Sequence, residues 1–91
     1  MKSIKNTGRN VFMKNIDKYN NIFKKVFSVE EGQLNEEFSI LNVEKWDSVA
    51  HMELITQIED TFGIMLETDD IIGLSSYTNG LELLGKYDIT F

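Results

Sequence analysis

One short run brings an acid, a hydroxyl and an imidazole together: Trp46-Asp47-Ser48-Val49-Ala50-His51-Met52-Glu53-Leu54. Three chemistries could use it. Asp47, Ser48 and His51 supply the residue types of a hydrolytic triad, in which a base activates the serine and an acid orients the base. Ser48 could instead cap a helix by accepting a bond from a free backbone N–H. Or its hydroxyl could stand in water and carry a group, because a helix N-terminus favours an anion beside it. The triad is the weakest of these. All three residues crowd one helix start, and a small helical bundle offers little cleft around them. The residues after Ser48 favour the third use.

Presenting that hydroxyl takes a scaffold of helices. Ser48 to Phe62 reads as an amphipathic helix, with Val49, Met52, Ile55, Ile58 and Phe62 as its buried stripe at 3-3-3-4 spacing and Leu54 beside it. Asp47 or Ser48 caps it, and Gly63 stops it in the left-handed conformation. Upstream, Phe12, Ile16, Tyr19, Phe23, Val26 and Phe27 recur at helical steps, which predicts a helix from about Met13 to Ser28. Val29 to Lys45 holds no period and is expected to be a long loop, a feature often functional in so small a domain. Leu34, Phe38, Ile40, Leu41 and Val43 are its candidate anchors to the core. Thr68-Asp69-Asp70-Ile71-Ile72-Gly73 suggests a short helix with a cap, first-turn acids and a terminating glycine. Ser75 or Ser76 caps a last helix to about Tyr87, with Tyr77, Leu81, Leu83, Leu84 and Tyr87 inward. Gly80 within it lowers helix propensity, which close packing against a neighbour would explain. The expected fold is all-α: three main helices, a short third one and a long first loop.

Composition sets the wider bounds. The 91 residues make one small domain, with 1–12 as a basic N-terminal extension and 13–91 as the folded part. No cysteine is present, so there is no disulfide framework and no thiolate metal site. With one histidine, zinc is improbable, and Glu67, Asp69 and Asp70 lack the spacing of a calcium loop. There is no phosphate-cradling glycine loop. No apolar run approaches a membrane span, and the N-terminus has no signal-peptide stretch. A monomer in the cytoplasm, without membrane insertion, is expected.

Charge is divided along the chain. Residues 1–25 hold seven of the nine basic residues, whereas residues 26–91 hold fourteen of the fifteen acids. An acidic body argues against nucleic acid as a partner, since phosphate binding needs clustered Lys and Arg. It suits partners with basic surfaces, reached by electrostatic steering.

Asp47-Ser48-Val49, followed by Met52-Glu53-Leu54-Ile55, Ile58-Glu59-Asp60 and Phe62-Gly63-Ile64, resembles the acyl carrier protein family over roughly Ile16 to Tyr87. The family motif is Asp-Ser-Leu; here Val49 takes the third place. The resemblance implies a four-helix bundle and a carrier rather than an enzyme. A phosphopantetheinyl transferase would attach the 4′-phosphopantetheine of coenzyme A to Ser48, between Asp47 and Val49, and the arm's thiol would hold an acyl or aminoacyl group as a thioester. Glu53, Glu59 and Asp60, with Asp47, would meet basic patches on a loading ligase or acyltransferase and on a downstream synthase or transferase. Met52 and Val49 would offer an apolar foothold, and His51 would be a solvated or partner-facing residue. Ala50 and His51 stand where fatty-acid-synthesis members carry an acid just after the motif. This favours a specialised carrier in a polyketide, peptide, lipid or polysaccharide-modification pathway. Whether the cargo would lie inside the bundle stays open, since Phe23, Ile55, Ile58, Phe62 and Leu81 suit either case. A helical adaptor in which Ser48 is only a cap is the alternative reading.

Overall fold

Tyr19, Phe23 and Phe27 succeed one another at steps of four, so helical winding stacks three aromatic rings on one face. In the computed structural model, which describes residues 13–91, this is the face that α1 (Asn15–Phe27) buries. Ile22 and Asn20 are buried with it, and Ile16 and Val26 are half-buried. Ser28 ends the helix in the left-handed region at φ 56°, returning its N–H to the Lys24 carbonyl. Lys24 and Lys25 occupy the last turn, where the helix dipole favours cations. Phe12 and the basic extension lie outside the described residues.

A long connection comes next, broken only by a single 3₁₀ turn at Glu31–Gln33. Phe38 and Trp46 are the buried anchors of this loop, with Leu34 and Val43 half-buried. Ile40 and Leu41, expected as anchors, instead face solvent. The backbone explains this. A two-bond bridge ties the loop to the start of the last helix, Ile40 donating to the Ser75 carbonyl and Tyr77 to the Phe38 carbonyl at 2.9 Å each. Phe38 is thereby committed to the core, and the chain turns away immediately after it.

The second helix, α2 (Ser48–Phe62), has the expected bounds, and Gly63 stops it at φ 65°. Its buried residues are Leu54, Ile55 and Ile58. Val49 and Met52 are 78% and 52% exposed, which corrects the predicted stripe. Three-residue steps lose about 60° per step against the helix period, so Val49 and Ile58 lie on opposite faces. A short α3 (Thr68–Gly73) comes after it, with Glu67 at its cap position and no side-chain capping bond, so Thr68 begins the helix rather than capping it. The last helix, α4 (Tyr77–Gly85), is capped by Ser76, whose hydroxyl accepts from the Asn79 N–H at 3.0 Å. It ends two residues earlier than expected. Tyr77, Leu83 and Leu84 are buried, while Leu81 and Tyr87 are half-buried. The described residues thus form a small all-α fold of four α-helices with no strand, and no helix among them is long and apolar enough to cross a membrane.

Polar ties close the bundle. Tyr19 donates to the Tyr77 carbonyl at 2.7 Å, and the Tyr77 hydroxyl donates to Asn20 Oδ1. Burial pushes the Tyr19 hydroxyl far above its ordinary range. Asp70 accepts from Lys86 Nζ at 2.7 Å and from the Tyr87 hydroxyl, clamping α3 to the segment after α4. Hydrogen bonding from Lys86 first, then from Tyr87, holds the Asp70 carboxyl below its ordinary range. A depressed carboxylate contributes stability above the unfolded-state value, and that contribution is lost as pH falls through the folded one. Acid unfolding of Lys86→Met should therefore show a weaker dependence on pH below about 4 than the wild type. Equal pH profiles for the two proteins would show that the clamp carries no stability.

Candidate functional site

The start of α2 is organised by Asp47. Its backbone is extended, and its Oδ1 accepts from the Ala50 N–H at 2.9 Å while its carbonyl accepts from the His51 N–H at 2.8 Å. Of the two expected caps, Asp47 is the one that acts. Replacing it with alanine should lower stability by about 1 kcal/mol in urea unfolding. An unchanged midpoint would mean that another group takes over the cap.

Ser48 is thereby released from structural duty. It is the first residue of α2, it is exposed, and it belongs to the turn whose backbone N–H groups have no partner within the helix. It lies on a groove of about 450 Å³ lined by Ile40, Trp46, Asp47, Ser48, His51, Met52, Ile71 and Ile72. Asp47 is the one acid in that lining. The walls come from three places: the first loop, α2 and α3.

His51 is half-buried and bonded through both ring nitrogens. Trp46 Nε1 lies 3.0 Å from His51 Nδ1, and His51 Nε2 lies 2.7 Å from the Ile71 carbonyl oxygen. An indole N–H can only donate, so Nδ1 must accept and the ring proton must sit on Nε2, which donates to Ile71. Both ring nitrogens are committed. The imidazole pins the loop and α3 to α2, and it holds no free nitrogen to take a proton from Ser48. The triad reading loses its base, and the reading of His51 as a solvated residue is corrected to a half-buried one bonded through both nitrogens.

The expected docking acids divide in the same way. Glu53 and Asp60 are exposed on α2. Glu59 is half-buried, and its Oε2 accepts from the Leu66 N–H at 2.9 Å, fixing the turn between α2 and α3. Its carboxylate is partly spent on the fold. Val49 and Met52, by contrast, are more available than a buried stripe would allow. Ile72, 74% exposed, and Ile40, 45% exposed, extend the apolar surface of the Ser48 groove.

Sequence reasoning missed the groove itself. Trp46 carried a signal: a buried indole needs an acceptor for its N–H, and His51 is a nearby side chain able to accept. Ile71 and Ile72 carried none, because which of two adjacent isoleucines faces solvent depends on how α3 is set down. Among the described residues, no group of three or more His, Asp or Glu side chains is placed to hold a metal ion. Compared with models of known protein families and with curated protein sequences, the chain matches none. A functional reading rests on the chemistry of Ser48 and its surroundings.

Proposed function

We propose that this chain is a phosphopantetheine-dependent carrier protein, a four-helix bundle of the acyl-carrier type in which Ser48 is the attachment point. The observation that carries the reading is the division of labour at the α2 start. Asp47 makes the capping bond, and the adjacent serine is left exposed on the rim of an apolar groove. A serine needed only for the fold would be making that bond itself, so the adaptor alternative loses its stated reason for Ser48.

The residues suit the group. A phosphodiester on Ser48 would place its negative charge at the positive end of α2. The bound arm would supply a terminal thiol on which an acyl group is carried as a thioester. This chain's own part is to present the hydroxyl, shield one side of the arm with the groove and offer a surface to successive enzymes. Glu53 and Asp60, with Asp47, form the acidic component of that surface, and Val49 and Met52 the apolar one. Charge pairs at such a rim set encounter rate and partner choice more than affinity, which fits a shuttle that must release each partner.

Incubation with coenzyme A and a broad-specificity phosphopantetheinyl transferase tests the reading. The wild type should gain one arm by intact mass, and Ser48→Ala should gain none. A wild type that stays unmodified with several such transferases contradicts the proposal.

A further inference from the structure

The interior of the bundle is crowded with rings. Phe23, Phe27, Phe38 and Trp46 form a continuous buried cluster, with ring centroids between 5.1 and 6.0 Å apart. Trp46 belongs both to this cluster and to the wall of the Ser48 groove. It is 3% exposed. Phe23, Phe27 and Phe38 hold it from the core side, and the bond from its Nε1 to His51 Nδ1 holds its polar edge. A ring fixed at both ends cannot swing aside without leaving a buried N–H unpaired.

Outside that ring the groove is open and apolar. Ile40 from the first loop, Met52 from α2 and Ile72 from α3 line it. These side chains meet water unless something covers them. A group tethered at Ser48 is the occupant nearest to hand.

Resting on the carrier reading of Ser48, we infer that Trp46 closes the core to the tethered cargo, and that the cargo is an aliphatic acyl group lying in the outer groove against Ile40, Met52 and Ile72. Each methylene laid on that wall removes apolar surface from water. The ammonium of an aminoacyl group would gain nothing from it, and the apolar wall is the larger part of the lining.

The test loads the full chain with an octanoyl arm from octanoyl-coenzyme A, and in parallel with an acetyl arm, using a broad-specificity transferase. Intact mass reports attachment. Methyl carbon–proton NMR then compares the two loaded forms. Octanoyl should shift the methyls of Ile40, Met52 and Ile72 and leave Leu54, Ile58 and Leu84 unmoved. Ile72→Glu should reduce the Ile40 and Met52 shifts at least threefold while the arm still attaches. Shifts at the core methyls of the wild type, or no shift at all, overturn the inference and leave the carrier reading standing. Failure of the arm to attach overturns both. In aromatic carbon–proton NMR, Trp46→Ala should let octanoyl shift the rings of Phe23, Phe27 and Phe38, which pack on the indole. His51→Ala, which frees the indole but keeps its ring, serves if Trp46→Ala does not fold. Rings of Phe23, Phe27 and Phe38 that stay unmoved in the folded variant contradict the gating role of Trp46.

Discussion

Gly80→Ala is expected to destabilise the fold by about 2–3 kcal/mol, against the helix propensity that would make alanine better by about 1 kcal/mol. A Cβ built at Gly80 falls 2.1 Å from the Tyr19 hydroxyl oxygen and 3.2 Å from its ring carbon. Tyr19 has nowhere to retreat. It is fully buried, and its ring lies 4.8 Å from Phe23, 5.2 Å from Tyr77 and 5.4 Å from Phe91. Moving it breaks the bond to the Tyr77 carbonyl and disturbs the partner of Asn20. For a domain of this size the melting temperature should fall by about 10 °C or more. Tyr19→Phe removes the atom that meets the new methyl, so the double variant should recover part of the loss. That non-additivity is what residues in contact show. A Gly80→Ala protein as stable as the wild type would mean that α1 and α4 do not approach this closely.

The second large effect separates chemistry from stability at neighbouring positions. Ser48→Ala should leave the unfolding midpoint within about 0.5 kcal/mol of wild type, because an exposed residue without a capping bond contributes little. Its acceptance of the phosphopantetheine arm should fall to zero. Asp47→Ala should behave in the opposite sense, losing stability while keeping the hydroxyl and hence the capacity for modification. The crossed pattern is the signature of a structural cap beside a chemical tether. If Ser48→Ala were instead the destabilised variant, Ser48 would be a structural residue and the adaptor reading would regain its footing.

The bounds of α2, its left-handed stop at Gly63 and a cap at Ser75 or Ser76 were legible in the sequence, because each depends on local backbone chemistry; the fold selects Ser76. The close approach behind Gly80 was legible as a conflict: a poor helix former in the middle of a helix signals a packing demand. The faces were harder. Val49 and Met52 fit a stripe by step counting, yet steps of three wind around the helix, and tertiary packing kept Ile55 and Ile58, took in Leu54 and left Val49 and Met52 outside. Ile40 and Leu41 read as loop anchors because they are apolar, but the bridge between Ser39 and Ser76 decides which residue points inward. The hydroxyl at Ser48 was visible from its motif. The groove beside it was not, since Ile71 and Ile72 lie more than twenty residues beyond Ser48 and only the fold brings them to it. His51 shows the same limit. Its two bonds reach back to Trp46 and forward to Ile71, and the second spans 20 residues.

The most direct measurement is fragment mass spectrometry of the wild-type chain after incubation with coenzyme A and a broad-specificity transferase. The account predicts a single phosphopantetheine increment, located on the Ser48 hydroxyl and on no other residue. A wild type left unmodified by several transferases, or an increment that persists when Ser48 is alanine, would contradict it.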